Sequence, residues 1–400
     1  MIDIRETLKT LMPELIEFRH DLHAHPELGY QETRTATRVL DRLNTIEGLH
    51  IRSRIAETGI VATLNADRDG PCIALRGDMD ALPIQEQTGL PYASKNEDCM
   101  HACGHDGHTT CLLGAALVLA RHAEELPGKV KFIFQPAEEG GGGARLMIDS
   151  GALDAPKVDA AFALHGWPQV PIGSILVGSG PVLAACTSFR IVIKGRGAHA
   201  AFPHHGDDTV LTSAHLITAL QAIRSRFIDP LDRAVVSVCS VQAGHTFNVL
   251  PDRCEMLGTV RSLKQATHEG ILEDIRRMAG STAQSFNASA EVEFLESYPV
   301  VMNDASAADL VANVGRQTLG DAHVVVDDTP VMGSEDFAFF SQRVPSTFYC
   351  LGVRPVGEDD YPQLHSPNYD FSDDAIPFGV AMHCGLASHF LNHPLANRCG

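Results

Sequence analysis

The stretch Asp98-Cys99-Met100-His101-Ala102-Cys103-Gly104-His105-Asp106-Gly107-His108 constrains this chain more than any other. It carries two thiols, three imidazoles and two carboxylates in close succession, and an apolar run begins just beyond it at Cys111. A structural turn does not need such a density of soft and borderline metal ligands, although short Cys/His tracts alone are only compositional hints of metal binding. The stretch sits where a loop enters a helix. Alternate residues of extended backbone share a side, so Cys103 and His105 are expected to point into one cavity as the first half of a metal site.

A chain of 400 residues exceeds what one hydrophobic core usually organises, so two domains are expected. Lys and Arg number 31 against 50 Asp and Glu, a net charge of −19, and no basic cluster is interleaved with aromatics. That balance disfavours nucleic acid and anionic membranes as partners and favours a small molecule. No apolar run approaches the roughly 20 residues of a membrane span. The opening Met1-Ile2-Asp3-Ile4-Arg5-Glu6 lacks the basic-then-apolar pattern of a signal peptide, so a cytoplasmic location is expected. In that compartment scattered thiols are usually small buried hydrophobes; this suits Cys72, Cys111, Cys239 and Cys350, each in an apolar segment.

Helical spacing marks residues 4–19, and a second helix is predicted from Thr33 to about Leu43. His20, His23 and His25 lie between them beside the turn signals Pro26 and Gly29, which favours supporting roles. Strands are predicted at 60–64, 72–76, 130–134 and 158–164, with a helix after Cys111. Asp78, Asp80, Glu138, Glu139 and His165 follow strand ends, where ligands bind in parallel sheets covered by helices. From residue 184 the order becomes strand, helix (Asp208 to Phe227), strand, strand, helix, strand, which predicts a ferredoxin-like α+β unit whose sheet edge a partner subunit could cover. The expected architecture is therefore an α/β catalytic domain, 1–183 and 297–400, with a mixed, largely parallel sheet, and an inserted lid and dimerisation domain, 184–296.

The candidate metal ligands are Cys103, His105, Glu139, His165 and His365. One tetrahedral ion does not need five protein ligands, whereas two ions sharing a side chain and a water would each have four. Two divalent ions would leave the site net positive and favour a bridging hydroxide, a nucleophile for a carbonyl. A Glu-Glu pair alone is most often a solvated turn, but Glu138 and Glu139 follow an apolar strand and precede four glycines. Glu139 is assigned to metal and Glu138 to general base, passing the water's proton to the leaving amine. The mixed N, O and S set tolerates zinc, manganese, cobalt or nickel.

Cys103-Gly104-His105-Asp106, Pro136-Ala137-Glu138-Glu139, His165-Gly166-Trp167-Pro168 and His365-Ser366-Pro367, preceded by Gly77-Asp78-Met79-Asp80-Ala81-Leu82-Pro83, resemble the amidohydrolase branch of the aminoacylase and carboxypeptidase superfamily of co-catalytic metallopeptidases. That branch includes hippurate hydrolases, N-acyl-amino acid amidohydrolases and auxin-amino acid conjugate hydrolases. The resemblance runs from Arg19-His20-Asp21-Leu22-His23 to His365. It implies a dinuclear-metal, aminopeptidase-like catalytic domain, Glu138 as base, and cleavage of N-acyl amino acids to a carboxylate and a free amino acid. It implies Asp80 as a carboxylate supporting the ligands, and a homodimer in which His199 reaches the partner's active site and steadies the oxyanion. Asn248 and Arg261 match positions that contact substrate. In the wider superfamily a histidine ligand stands at Asp78 and an aspartate bridge at Cys103, and His105 could supply the missing imidazole. The alternatives are a metallo-dipeptidase or carboxypeptidase and, more distantly, a non-catalytic binding protein, against which Glu138 argues.

Overall fold

The computed structural model describes residues 3–395. The chain divides into two compact units, the first holding the chain up to Gly180, Met302–Thr329 and the chain from Asp336, the second holding Pro181–Val301 and Pro330–Glu335.

Helices α1 (Arg5–His23) and α2 (Thr33–Leu43) are followed by strands β1 (His50–Ile55), β2 (Gly59–Leu64) and β3 (Cys72–Asp78). Then come α3 (His105–Arg121), β4 (Lys129–Gln135), α4 (Gly143–Asp149), β5 (Ala160–Pro171), β6 (Ile175–Val177) and β7 (Gly180–Leu183). The second unit contains β8 (Ala185–Lys194), β9 (Ala198–His199), α5 (Thr209–Ala222), β10 (Ala234–Ala243) and β11 (Val249–Leu250). It continues with β12 (Arg253–Ser262), α6 (Gln265–Ser285) and β13 (Ser289–Tyr298). The chain then runs through β14 (Val301–Asn303), α7 (Ala305–Leu319), β15 (Val324–Val326), α8 (Ala338–Ser341), β16 (Ser346–Arg354) and α9 (Ile376–Asn392).

Eight strands of the first unit form a mixed sheet in the order β1-β2-β4-β3-β5-β16-β6-β15. Its centre, β4, β3, β5 and β16, is parallel, and β2 and β6 flank it antiparallel. The β3 sequence CIALRGD is buried along its whole length, because a parallel strand covered on both faces loses the apolar-polar alternation of a half-exposed one. Helix α3 is buried from His105 to Leu119 and packs against α1, α9 and β3, which is why it is apolar on every side beyond its first turn. Leu15, Leu22, Ile73, Leu75, Phe132 and Phe162 belong to the resulting core.

In the second unit the antiparallel order β10-β12-β8-β13 follows the ferredoxin-like connection. Phe189, Ile191 and Ile193 of β8 pack with Leu216 and Leu220 of α5 and Ile271 and Ile275 of α6.

Four sequence expectations need correction. Cys239, expected to be buried, is exposed on β10. Helix α3 begins at His105, well before Cys111, so the alternation of extended backbone is not what aligns Cys103 with His105; the turn at Gly104 does this. His165 lies inside β5, not beyond its end. The helix expected over 208–227 is regular only to Ala222 and then winds into a π segment, Ile223–Phe227. The short strands β6 and β15, three residues each, and the polar edge strand β1 carried too little pattern to be read.

A buried charge network ties α1 to the start of α3. Arg19, fully buried, donates to Asp106 at 3.0 Å, Asp370 at 2.9 Å and Asp373 at 2.5 Å. His23 sits 2.9 Å from Asp106 and 3.3 Å from Glu86 through its two ring nitrogens. Burial opposes a charge on His23, but Asp106 and the hydrogen bond to Glu86 outweigh it and raise the imidazole to about 9. Its folded-state pKa thus exceeds the unfolded one, so its contribution is complete below about 6.5 and is lost as pH rises through about 9. Melting temperatures of wild type and His23→Gln are expected to differ by several degrees at pH 6 and to converge above pH 9. A difference independent of pH would refute the charged imidazole.

Candidate metal centre

The sheet register explains why distant segments converge. Asp78, the last residue of β3, is level with Gln135, the last of β4. Arg76 pairs with Ala163, so His165, two residues further on, reaches the level of Asp78, where it faces Cys350 of β16. The turn carrying Glu138 and Glu139 leaves β4 at this level.

Cys103 and His105 arrive on either side of Gly104, whose φ of 85° lies in the left-handed region. A Cβ there would stand 3.0 Å from the Tyr369 hydroxyl and 3.1 Å from the Phe371 ring. Glycine therefore permits the chain to turn into α3 with both side chains facing the sheet edge.

Cys103 Sγ is 3.4 Å from His165 Nε2. His165 Nδ1 is 2.9 Å from the Gly166 carbonyl, to which it can donate, leaving the Nε2 lone pair toward the thiol. His105 repeats the arrangement: Nδ1 lies 3.3 Å from Asp80 Oδ1, while buried Nε2 has no hydrogen-bond partner and stands 4.0 Å from Glu139 Oε1. His365 Nε2 is 3.1 Å from Glu139 Oε1. Asp80 Oδ2 accepts the Glu139 amide at 2.9 Å, so one carboxylate orients both His105 and Glu139. The structure thus brings together Cys103, His105, Glu139, His165 and His365, with Glu138 and Asp80 beside them.

These donors fit divalent cations. Ligand atoms of Cys103, His105 and His165 lie within 4.8 Å of one another, as do those of Cys103, Glu139 and His365, and those of His105, Glu138 and Glu139. Cys103 belongs to the first two groups, which suits one thiolate shared between two ions. Burial, then Glu139 and Glu138, push the Cys103 thiol well above its usual range, so replacing its proton by a cation relieves an unfavourable charge arrangement. Burial and His108 hold His165 well below its usual range, keeping it neutral as a ligand must be.

His108 also lies here but is already committed. Its Nδ1 is 2.7 Å from Asp78 Oδ1, and its Nε2 accepts the Gly166 amide at 2.7 Å. It joins the end of β3 to the backbone next to His165. Asp78 in turn pairs with buried Arg76, which also reaches Gln135 at 2.8 Å and Asp336 at 3.1 Å. Sequence reasoning missed His108, Arg76, Gln135 and Asp336 as supports; the one available signal was the second histidine, one helical turn after His105.

On the second unit, His199 and Asn248 are brought near each other by the β9–β11 ladder, in which His199 pairs with Val249. His199 Nδ1 accepts the Ala201 amide at 3.0 Å and the Asn248 carbonyl accepts that of Ala200 at 3.0 Å. Arg261 on β12 donates to the Met332 carbonyl at 2.8 Å.

A crowded cluster of thiol, imidazole and carboxylate at the carboxyl edge of a parallel sheet defines a metallohydrolase-type site. Residues 74–389 match the model of peptidase family M20/M25/M40, and the chain belongs to that family. It is 40% identical over 374 residues to an N-acetylcysteine deacetylase of Bacillus subtilis, covering 92% of this chain and 94% of that protein. It is 37% identical over 381 residues to IAA-amino acid hydrolase ILR1-like 4 of Arabidopsis thaliana, covering 94% and 86%. The crystal structure of Bacillus subtilis YXEP, described as a dinuclear metal binding peptidase of the M20 family, superposes with a TM-score of 0.81 at 35% identity, covering 96% of this chain and 99% of that one.

Proposed function

We propose that this chain hydrolyses the amide of N-acyl amino acids, using two divalent ions held by Cys103, His105, Glu139, His165 and His365. The observation that carries this reading is the pair of donor groups sharing Cys103, with Glu138 in a third group beside them. The names of the deacetylase and conjugate hydrolase relatives support the substrate class.

When bound, the ions would lower the pKa of a water toward neutrality and polarise the substrate carbonyl. The protein's own part is proton transfer and orientation. Glu138, 6% exposed, takes the proton of the attacking water as the carbon–oxygen bond forms. It then delivers that proton to the amide nitrogen as the carbon–nitrogen bond breaks, because an amide anion is a poor leaving group. The products are a carboxylate and a free amino acid. Asp80 keeps the His105 ring and the Glu139 backbone in place throughout. The same reading gives His199 the oxyanion and Asn248 and Arg261 the substrate, with Arg261 suited to a carboxylate. It includes homodimerisation through the second unit, a cytoplasmic location, and zinc, manganese, cobalt or nickel as the metal. Among the described residues no helix is long and apolar enough to cross a membrane.

The test is release of free amino acid from N-acetyl, N-benzoyl and indole-acetyl amino acids alongside dipeptides, with ions added. Turnover of at least one acyl substrate above its dipeptide counterpart is expected. Faster turnover of the dipeptides would turn the assignment toward a dipeptidase or carboxypeptidase, and inertness toward all of them with ions bound would favour a binding protein.

A further inference from the structure

Glu32 is fully buried, yet it belongs to no part of the metal cluster. It occupies the N-cap position of α2 without making a side-chain cap hydrogen bond. Glu27 takes that task instead, accepting the amides of Arg34 at 3.0 Å and Thr35 at 2.7 Å. Glu32 is thereby directed elsewhere: Oε1 accepts the Ala137 amide at 2.8 Å, and Oε2 accepts the Thr58 hydroxyl at 2.6 Å.

Ala137 is the residue before Glu138. Its φ of 51° is left-handed, a conformation that a residue with a Cβ avoids unless its surroundings hold it there. The surroundings are crowded. A Cβ on Gly141 would come within 2.6 Å of the Ala137 Cβ and 2.7 Å of the Tyr30 ring. Tyr30 donates its hydroxyl to the Gly141 carbonyl at 2.6 Å, and the Ala137 carbonyl accepts the Gly143 amide at 3.1 Å. Residues 30–32 thus grip the turn after β4 from outside, while Asp80 grips it at Glu139 from the ligand side.

We propose that Glu32 is a positioning residue: its carboxylate holds the left-handed Ala137 amide and so aims Glu138 and Glu139, each by way of the turn they share. The proposal rests on the assignment of Glu138 as base and Glu139 as ligand. Reach, not charge, is what the geometry demands. Burial lifts the Glu32 carboxyl to about 7, so a neutral side chain of the same length is tolerated at no cost in burial. A glutamine can still accept from Ala137 with its oxygen while its amide group faces Thr58. An aspartate keeps the charge but is one methylene too short to reach both partners.

The experiment compares kcat, KM and melting temperature of the metal-loaded full chain for wild type, Glu32→Gln and Glu32→Asp on one acyl amino acid substrate. Glu32→Gln is expected to keep kcat near wild type. Glu32→Asp is expected to lower kcat about 10- to 100-fold, the usual effect of losing a support behind a metal site, with KM little changed. Equal losses in both variants would assign the role to charge and overturn the proposal, as would full kcat in Glu32→Asp. Thr58→Val, which removes only the hydroxyl orienting Glu32, covers the case in which Glu32→Asp does not fold; it is expected to lower kcat in the same direction, and an unchanged kcat would overturn the proposal. Glu138→Gln measured in parallel separates the two readings. If it stays active, the base assignment fails; if it is inactive while Glu32→Asp is fully active, the positioning role alone fails.

Discussion

Glu138→Gln is expected to lower kcat by about 10²- to 10⁴-fold, the contribution of a positioned general acid–base, while KM and the number of bound ions stay close to wild type. The substitution keeps the size and the hydrogen-bonding oxygen of the side chain and removes its ability to take a proton. Glu138 is buried beside Glu139, and it shares a donor group with His105 and Glu139, so a ligand role is the competing assignment. Steady-state kinetics together with metal analysis distinguishes the two. A variant that loses activity because it loses an ion would show lowered stoichiometry and would recover with added metal. A base variant would hold its ions and stay inactive in excess metal. Full activity in Glu138→Gln would require another group to carry the proton.

The convergence of this candidate cluster could be anticipated from the sequence because its members sit in short segments rich in unusual chemistry. Cys103, His105, Glu138, Glu139, His165 and His365 each lie within two residues of a glycine or proline, and for the residues on or beside the sheet the register then does the work of alignment. The supports were less legible for a physical reason. Glu32 acts on Ala137 across 105 positions of sequence, and what makes it significant is a backbone dihedral that composition does not encode. His108 was not singled out because a second histidine one helical turn after His105 does not by itself show a support; the fixed partners on both its ring nitrogens show a bridge between Asp78 and Gly166. The start of α3 was misread because polar residues of its first turn are buried in the site, so they broke the apolar periodicity on which helix recognition depends. The central strands were found because burial on both faces leaves continuous apolar runs. The edge strands β6 and β15 were missed because three residues are too few to establish a period.

Removing divalent ions with a chelator is expected to abolish hydrolysis and to lower the melting temperature in the same titration. The donors explain the coupling. His105 Nε2 is buried without a hydrogen-bond partner, and the Cys103 thiol is buried against Glu139 and Glu138, so the folded chain holds groups whose best partner is a cation. An ion that binds only the folded state at about 1,000 times its Kd contributes about 4 kcal/mol, enough to move the midpoint by several degrees in a protein of this size. Re-addition of zinc, manganese, cobalt or nickel should restore both properties, and the metal giving the highest activity need not give the highest melting temperature, because affinity follows donor softness while rate depends on the nucleophile produced. The two donor groups make a sharper expectation. Cys103 belongs to both, whereas His165 belongs to one and His365 to the other. Cys103→Ala should therefore weaken binding of both ions, and His165→Ala or His365→Ala mainly one. Binding isotherms in which all three variants lose a single ion alike would exclude the shared thiolate, and an apo chain with full activity would exclude metal catalysis altogether.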